Sequence, residues 1–223
     1  MRQSSLIIDK EKVCILQYKR YKRWGFHMII YFDTETTGLK PGQICQLCCI
    51  VEDKNGTRGL NYYFSVDYVE PSASCVTGLT VPILEELSKG EVFGDHALEI
   101  ADLFAEADLV IAHNISFDRS FMRCELERAG FAYSPKEELC SMRYFVNKLQ
   151  IPGRSRAYKM PSLAELATYM GVSGEDADRV SNQIFGGSLG AHDARHDTVK
   201  MYMALQKARE IYPQFEKLIL ENL

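Results

Sequence analysis

Two acidic side chains follow an apolar run early in the sequence. Asp33 and Glu35 come directly after residues 29–32, which have the composition of a buried strand. Because side chains two apart on a strand project from the same face, the two carboxylates point together. Like charges this close repel each other unless a cation or a shared proton compensates, and a hard divalent metal ion is the natural partner. Taken alone, the pair is more simply explained as two solvated surface acids.

A second polar group follows the short apolar run 109–112 and contains His113, Asn114 and Asp118. The run predicts a strand, so these residues lie at a strand end, where open α/β sheets hold their ligands. Asn114 could cap the helix that follows. Asp118 would lie in the first turn of that helix, where the helix dipole favours a carboxylate, so helix stabilisation is an alternative to a chemical role. Phe117 is more typical of a core residue than of a platform for a base.

A third group opens the last long predicted helix. His192 and Asp197 are five residues apart in the sequence. In a helix that spacing corresponds to about 140° around the axis, so the two side chains share a site only if His192 lies at or before the helix start. We expect that it does. By spacing alone, His196 could equally be the active histidine.

The hydrophobic pattern alternates between strand-like and helix-like segments. Three strands joined by short turns are predicted first, followed by helices and one further strand. The predicted strands are 28–32, 44–51, 62–66 and 109–112, and the predicted helices are 81–87, 97–107, 117–129, 142–149, 163–170 and 193–211. Helices that alternate with strands indicate an α/β fold with a mixed, partly parallel sheet flanked by helices.

Length and composition favour one domain. The 223 residues are 46% hydrophobic, which is enough to bury a core, and no apolar run is long enough to span a membrane. The seven cysteines, an odd number, are most simply reduced thiols of a soluble, cytoplasmic protein. Residues 1–27 carry seven Lys and Arg against two acids, and we interpret them as an N-terminal extension of a domain that spans 28–223. The net charge of −4 argues against nonspecific coating of long nucleic acid.

In their order along the chain, the three groups resemble the motifs of the DnaQ-like, DEDDh-type exonucleases. That family includes the proofreading (epsilon) subunit of bacterial DNA polymerase III. Residues 33–39, with the sequence DTETTGL, are similar to its first motif, 113–118 to its second, and 192–197 to its third, His-x4-Asp. The resemblance extends from Met28 to about Leu205.

The resemblance implies a ribonuclease H-like fold in which Asp33, Glu35, Asp118 and Asp197 hold two Mg²⁺ or Mn²⁺ ions. Two such ions, about 3.5 to 4 Å apart, can position and acidify the attacking water and stabilise the leaving 3′ oxygen. His192 would accept the proton of the water, since the unperturbed pKa of histidine is near neutrality. The implied activity is a 3′→5′ exonuclease that releases nucleoside 5′-monophosphates from a single-stranded 3′ end.

The same likeness implies which residues hold the terminal nucleotide. These are Thr36, Thr37, Gly38, Leu39, His113, Asn114 and Phe117. Residues 36–39 are also consistent with a simple turn in which Gly38 supplies backbone freedom. A loop with Arg154, Arg156 and Lys159 either contacts phosphates or is solvated.

Three alternatives remain open at the level of sequence. Cys45, Cys48 and Cys49 could suggest a zinc site, but they lie in an apparent strand without a second pair at ligand spacing. A catalytically silent nucleic-acid-binding module would have the same fold. A metal-dependent phosphohydrolase of small nucleotides would need only the carboxylates. The pattern favours neither DNA nor RNA, because the sugar 2′ position is recognised by pocket geometry, and it offers no support for association with a polymerase.

Overall fold

A five-stranded sheet with the order β3-β2-β1-β4-β5 forms the centre of the computed structural model, which describes residues 27–154, 157–186 and 193–223. Its strands are β1 (Ile29–Thr36), β2 (Ile44–Asp53), β3 (Gly56–Tyr63), β4 (Leu109–Ala112) and β5 (Glu137–Cys140). Strands β1, β2 and β3 form an antiparallel meander, whereas β4 is parallel to both β1 and β5. The predicted mixed, partly parallel sheet is therefore confirmed.

Nine helices in the described residues flank this sheet. They are α1 (Pro71–Thr77), α2 (Val81–Ser88), α3 (Phe93–Glu106), α4 (Ile115–Arg128), α5 (Ser141–Leu149), α6 (Leu163–Tyr169), α7 (Gly174–Phe185), α8 (Ala194–Ile211) and α9 (Pro213–Glu221). Within the same residues, no helix is both long and apolar enough to cross a lipid bilayer.

The central strand β1 is covered on both faces, which is why its sequence is a continuous apolar run. Ile30 and Phe32 pack in a core cluster with residues of α3 and α4. Ile29 and Tyr31 belong to the opposite cluster, with residues of α6, α8 and α9. Because side chains alternate along a strand, positions 33 and 35 continue the face toward α8, and position 34 continues the face toward α4.

The structure confirms most of the predicted elements and corrects one strand. The predicted strand 62–66 is wrong, since β3 already begins at Gly56 opposite Asp53 and ends at Tyr63. Because the β2–β3 turn is tight, β3 pairs with β2 directly after it. In addition, β3 is a half-buried edge strand, and its polar residues obscure the two-residue hydrophobic period typical of a strand. Four elements escaped the hydrophobic pattern, namely α1, α7, α9 and the four-residue β5.

The predicted N-terminal extension lies outside the described residues except for His27. Of the seven cysteines, the six in the described residues are all free thiols. Cys45, Cys48 and Cys49 are buried in β2. In the part of the chain that the structure describes, no group of three or more His, Cys, Asp or Glu side chains is arranged to hold a metal ion.

Candidate active site

Strand β1 positions the first two carboxylates at its C-terminal half. Asp33 and Glu35 are half-buried, and they pair across the antiparallel ladder with Cys48 and Gln46 of β2. The register shifts between Glu35 and Thr36, so the strand pair becomes irregular just after the second acid. Both carboxylates therefore lie on the sheet face toward α8, as the two-residue spacing predicts.

Asp118 comes from the opposite face of the sheet. It lies in the first turn of α4, as predicted, but only 3% of the residue is exposed. Its Oδ1 accepts hydrogen bonds from the backbone N–H of Thr34 at 3.2 Å and from the Thr34 hydroxyl at 2.8 Å. Thr34, the residue between Asp33 and Glu35, thus holds the carboxylate of Asp118 against β1. This environment differs from that of an acid that only stabilises a helix.

Asn114 occupies the N-cap position of α4, as predicted, but it does not cap the helix with its side chain. Asn114 precedes the helix with φ 78° and ψ 46°, a left-handed conformation that asparagine tolerates, and its side chain makes no capping bond. Its Oδ1 instead accepts a hydrogen bond from the Ser116 hydroxyl at 3.3 Å.

Asp197 lies in the first turn of α8. Asp193 is the N-cap of this helix, its carboxylate accepting from the N–H of Arg195, and the helical residues begin at Ala194. The helix start thus falls after position 192, as we expected. His192 itself lies outside the described residues.

The charges of neighbouring acids contribute to the pKa shifts of Asp33 and Glu35. Burial, with the charges of Asp118, Glu35 and Asp197, raises the pKa of Asp33 well above its usual range. Burial and the charges of Asp197, Asp193 and Asp118 raise the pKa of Glu35 to about 8. Burial also raises the pKa of Asp118 to about 7, although the hydrogen bonds from Thr34 oppose the shift. Acids from three separate segments of the chain thus form one acidic cluster.

The chemistry of this cluster fits hard divalent cations. Its donors are carboxylate oxygens, which Mg²⁺ and Mn²⁺ prefer, and their mutual repulsion is the kind that a bound cation relieves. In the residues described, the acids are neighbours but do not form a compact set of three ligands. Lys200 places its Nζ 3.5 Å from Oδ1 of Asp197 and partly balances the negative charge.

The ring of His196 lies between Asp178 of α7 and Asp197. Its Nε2 lies 3.1 Å from Oδ1 of Asp178, whereas its Nδ1 is 3.9 Å from Asp197. Only 14% of the side chain is exposed, so the ring has little access to solvent. The assignment of His192 as the active histidine stays a prediction.

His113 has both ring nitrogens engaged by protein groups. Nε2 lies 2.9 Å from the carbonyl oxygen of Pro161, to which it must donate, and Nδ1 lies 3.0 Å from the Ser141 hydroxyl. Burial lowers the pKa of His113. The ring therefore joins the end of β4 to the start of α5 and to the segment before α6, and a predicted contact with a nucleotide would have to compete with these bonds.

The predicted nucleotide-holding turn follows β1. The Thr36 hydroxyl donates to the carbonyl of Gly38 at 2.8 Å, and the Thr37 N–H donates to the carbonyl of Gln43 at 3.0 Å. Leu39, at the tip, is 82% exposed. Single exposed hydrophobic residues are common on protein surfaces, so the contact of Leu39 with the last base stays a prediction.

The alternative role of Gly38, to supply backbone freedom, is wrong, because Gly38 is not among the residues with positive φ. A Cβ at this position would instead meet the carboxyl group of Glu70, 2.4 Å from its Cδ. Phe117 packs against Phe121 with ring centroids 4.9 Å apart, consistent with a core role.

The basic loop is only partly described, since Arg156 lies outside the described residues. Lys159 pairs with Glu165 at 2.6 Å, so its charge is engaged within the protein.

The sequence analysis missed two polar residues that hold the site together, Thr34 and Gln46. Thr34 binds Asp118, and the Gln46 side chain bonds to Asp193 and Ala194 at the start of α8. A signal for Gln46 was present, because it is the one polar residue within the apolar run 44–51. A buried amide in such a run requires hydrogen-bond partners.

Comparison with known proteins identifies the family of this chain. An exonuclease family model, RNase_T, matches residues 30–204. An uncharacterized exonuclease, CP81, of Escherichia phage 186 is 31% identical over 165 residues, covering 70% of this chain and 82% of the phage protein. DNA polymerase III subunit epsilon of Treponema pallidum is 26% identical over 175 residues, covering 74% of this chain and 78% of that protein.

A solved structure has the same fold. The zinc-bound form of the Escherichia coli ExoI–ssDNA complex superposes with a TM-score of 0.66 at 18% identity, over 87% of this chain. This chain spans only 43% of the ExoI chain, so the likeness concerns the ribonuclease H-like fold. The family match includes all four carboxylates of the acidic cluster, and the chain therefore belongs to the RNase_T exonuclease family, among its DnaQ-like members.

Proposed function

We propose that this protein is a metal-dependent 3′→5′ exonuclease that hydrolyses the terminal phosphodiester of a nucleic acid. The observation that carries the proposal is the proximity of three other acids to Asp33, whose pKa is raised by burial and then by the charges of Asp118, Glu35 and Asp197. Membership of an exonuclease family supports hydrolysis of nucleic acid. The 3′→5′ direction rests on the resemblance of the three motifs to the DnaQ-like proofreading subunit.

The four carboxylates are the residues that would hold two Mg²⁺ or Mn²⁺ ions. When bound, such ions supply Lewis acidity for water activation and for the charge on the leaving 3′ oxygen. The protein's own part is to keep the acids ionised and correctly spaced. Thr34 does this for Asp118, since its two donors favour the charged carboxylate.

His192 is the proposed general base. In the sequence it directly precedes Asp193, the N-cap of α8. A neutral imidazole near physiological pH can accept the proton of the attacking water as the phosphodiester bond breaks. The short distance between Nε2 of His196 and Oδ1 of Asp178, 3.1 Å, supports this choice.

A single-stranded 3′ end is the proposed substrate. The exposed Leu39 and the turn 36–39 next to Glu35 offer an apolar contact for the last base. The E. coli ExoI complex, which has the same fold, contains single-stranded DNA. The remaining proposed contacts are made by Asn114, Phe117 and His113, and the domain that carries them spans 28–223.

The test uses single-stranded oligonucleotides of DNA and RNA, labelled at the 5′ end, with Mg²⁺, with Mn²⁺ and with a chelator. We expect a ladder of 5′-labelled products shortened one nucleotide at a time, release of nucleoside 5′-monophosphates, and no reaction with the chelator. Asp33→Ala, Asp118→Ala and Asp197→Ala should abolish the ladder while the circular dichroism spectrum stays native. Binding without shortening would indicate a silent module, and hydrolysis of nucleoside triphosphates alone would indicate a small-nucleotide phosphohydrolase.

A further inference from the structure

One buried amide lies between the strand that carries Glu35 and the helix that carries Asp197. Gln46 of β2 is 1% exposed and is the cross-strand partner of Glu35. Its Nε2 donates to Oδ1 of Asp193 at 2.9 Å and to Oδ1 of Asn61 at 2.7 Å, and its Oε1 accepts from the N–H of Ala194 at 3.2 Å. Each polar atom of this side chain is therefore satisfied, and two of its three partners are the N-cap and first residue of α8.

The bonded partner Asp193 is itself held from several sides. Its carboxylate accepts from the backbone N–H of Arg195 at 2.9 Å, from the Arg195 guanidinium, and from the Tyr63 hydroxyl at 3.2 Å. Tyr63 and Asn61 both belong to β3. The start of α8 is thus fastened to the β2–β3 hairpin through a small buried network centred on Gln46.

We propose that Gln46 is a positioning residue that fixes the first turn of α8 against β1 and β2, and so sets the distance of Asp197 from Asp33 and Glu35. The inference rests on the proposed function only in its effect on rate and metal affinity. Its geometric part stands on the hydrogen bonds alone. The chain reaches α8 through residues 187–192, which lie outside the described residues, so within the described structure this network is the polar tie between β2 and the N-cap of α8.

A merely structural amide would lower stability without moving the acids, and the protein offers a matched control for that case. Gln206 lies on the same helix and donates to Glu52 at 2.8 Å and to Tyr31 at 3.3 Å, near the opposite end from Asp197. Gln46→Met and Gln206→Met remove the same chemical group while nearly preserving volume. We compare both with the wild type at a temperature where all three are folded.

For Gln46→Met we expect a kcat at least tenfold lower with KM changed less than threefold, and Mn²⁺ binding by calorimetry at least fivefold weaker. Amide hydrogen exchange at residues 194–198 should be faster. Gln206→Met should keep kcat and Mn²⁺ affinity within twofold of the wild type. Equal behaviour of the two variants in kcat, Mn²⁺ affinity and exchange at 194–198 would overturn the proposal.

A charge swap tests the same contact if Gln46→Met fails to fold. Gln46→Glu keeps the acceptor for the Ala194 N–H but places a carboxylate against Asp193, so we expect it to lose activity and protection at 194–198. Adding Asp193→Asn restores a donor–acceptor pair, and the double variant should recover at least half of the lost protection. No recovery in the double variant would count against the proposed contact.

These outcomes separate the inference from the proposed function. If the wild type neither shortens oligonucleotides nor binds Mn²⁺, the proposed function fails. Hydrogen exchange at 194–198 still decides the role of Gln46, because it requires neither substrate nor metal.

Discussion

Thr34 donates two hydrogen bonds to one oxygen of Asp118, from its backbone N–H at 3.2 Å and from its hydroxyl at 2.8 Å. The residue between the two acids of β1 therefore holds the third acid from the other face of the sheet. This contact opposes the effect of burial, which raises the pKa of this 3% exposed carboxylate to about 7.

Replacing Thr34 by valine keeps the β-branched shape and removes the hydroxyl donor. Because the hydrogen bond from the Thr34 hydroxyl lowers the pKa of Asp118 against the effect of burial, its loss should raise that pKa further. We expect the acidic limb of the pH–rate profile to move to higher pH and kcat at pH 7 to fall about tenfold, as a loss of about 1.4 kcal/mol would produce. Thr34→Ser, which keeps the hydroxyl, is the control, and an unchanged profile in Thr34→Val would contradict the assignment.

Glu35→Gln should stabilise the metal-free protein at the expense of activity. The folded-state pKa of Glu35 is raised to about 8, so its contribution to stability is fully present below the unfolded value and is lost as pH rises toward 8. In a chelator, the melting temperature of the wild type should fall between pH 5 and 8. At pH 8 the variant should melt higher by about 2 to 4 °C per kcal/mol of relieved repulsion.

Calorimetry with and without Mn²⁺ checks this prediction. Added Mn²⁺ should raise the wild-type melting temperature most at pH 8 and that of Glu35→Gln much less. A variant that melts at or below the wild type at pH 8 in chelator would show that the acids do not strain the fold.

Substituting His192 and His196 one at a time distinguishes the proposed base from the other histidine. His192→Ala should lower kcat at least a hundredfold with little change in KM, as expected for loss of a general base. His196→Ala loses its contact with Asp178 and should lower stability, with a much smaller effect on kcat. The pattern reversed, with His196→Ala inactive and His192→Ala normal, would reassign the base.

The acids could be predicted from the sequence, but the residues that hold them in place could not, for a physical reason. Asp33, Glu35, Asp118 and Asp197 follow apolar runs or open helices, so strand and helix periodicity alone indicates their places. Thr34 and Gln46 act through contacts with residues 84 and 147 positions away, which no local pattern records. Strand β5, with Glu137 and Glu138 among its four residues, is defined by pairing with β4 rather than by its own hydrophobicity.

Leu39 offers a test of substrate contact that does not disturb the fold. Because 82% of the residue is exposed, Leu39→Ala should leave the melting temperature within 1 °C, about the change expected for a surface substitution. We expect KM for a single-stranded oligonucleotide to rise about fivefold, equivalent to about 1 kcal/mol of lost apolar contact. Leu98→Ala, at an exposed leucine on α3, is the control and should change neither quantity. Unchanged KM in Leu39→Ala would remove the proposed base contact.

A buried ion pair fastens the far end of α8. Arg209, with its side chain 3% exposed, bonds to Glu52 at 3.2 Å and to Glu216 at 2.6 Å. Arg209→Ala leaves two carboxylates without their cation, which should lower the free energy of unfolding by about 3 to 5 kcal/mol in urea titrations. Below its melting temperature the variant should retain kcat, and Lys217→Ala, at an exposed i,i+4 pair, should cost less than about 0.5 kcal/mol.

Because successive side chains of β1 face opposite sides of the sheet, the acidic cluster depends on the helices of both layers. Asp33 and Glu35 require α8 on one side of the sheet, and Thr34 requires α4 on the other. Gradual heating that loosens either layer should therefore stop hydrolysis while the strands are still paired. Loss of turnover should then precede the calorimetric unfolding transition.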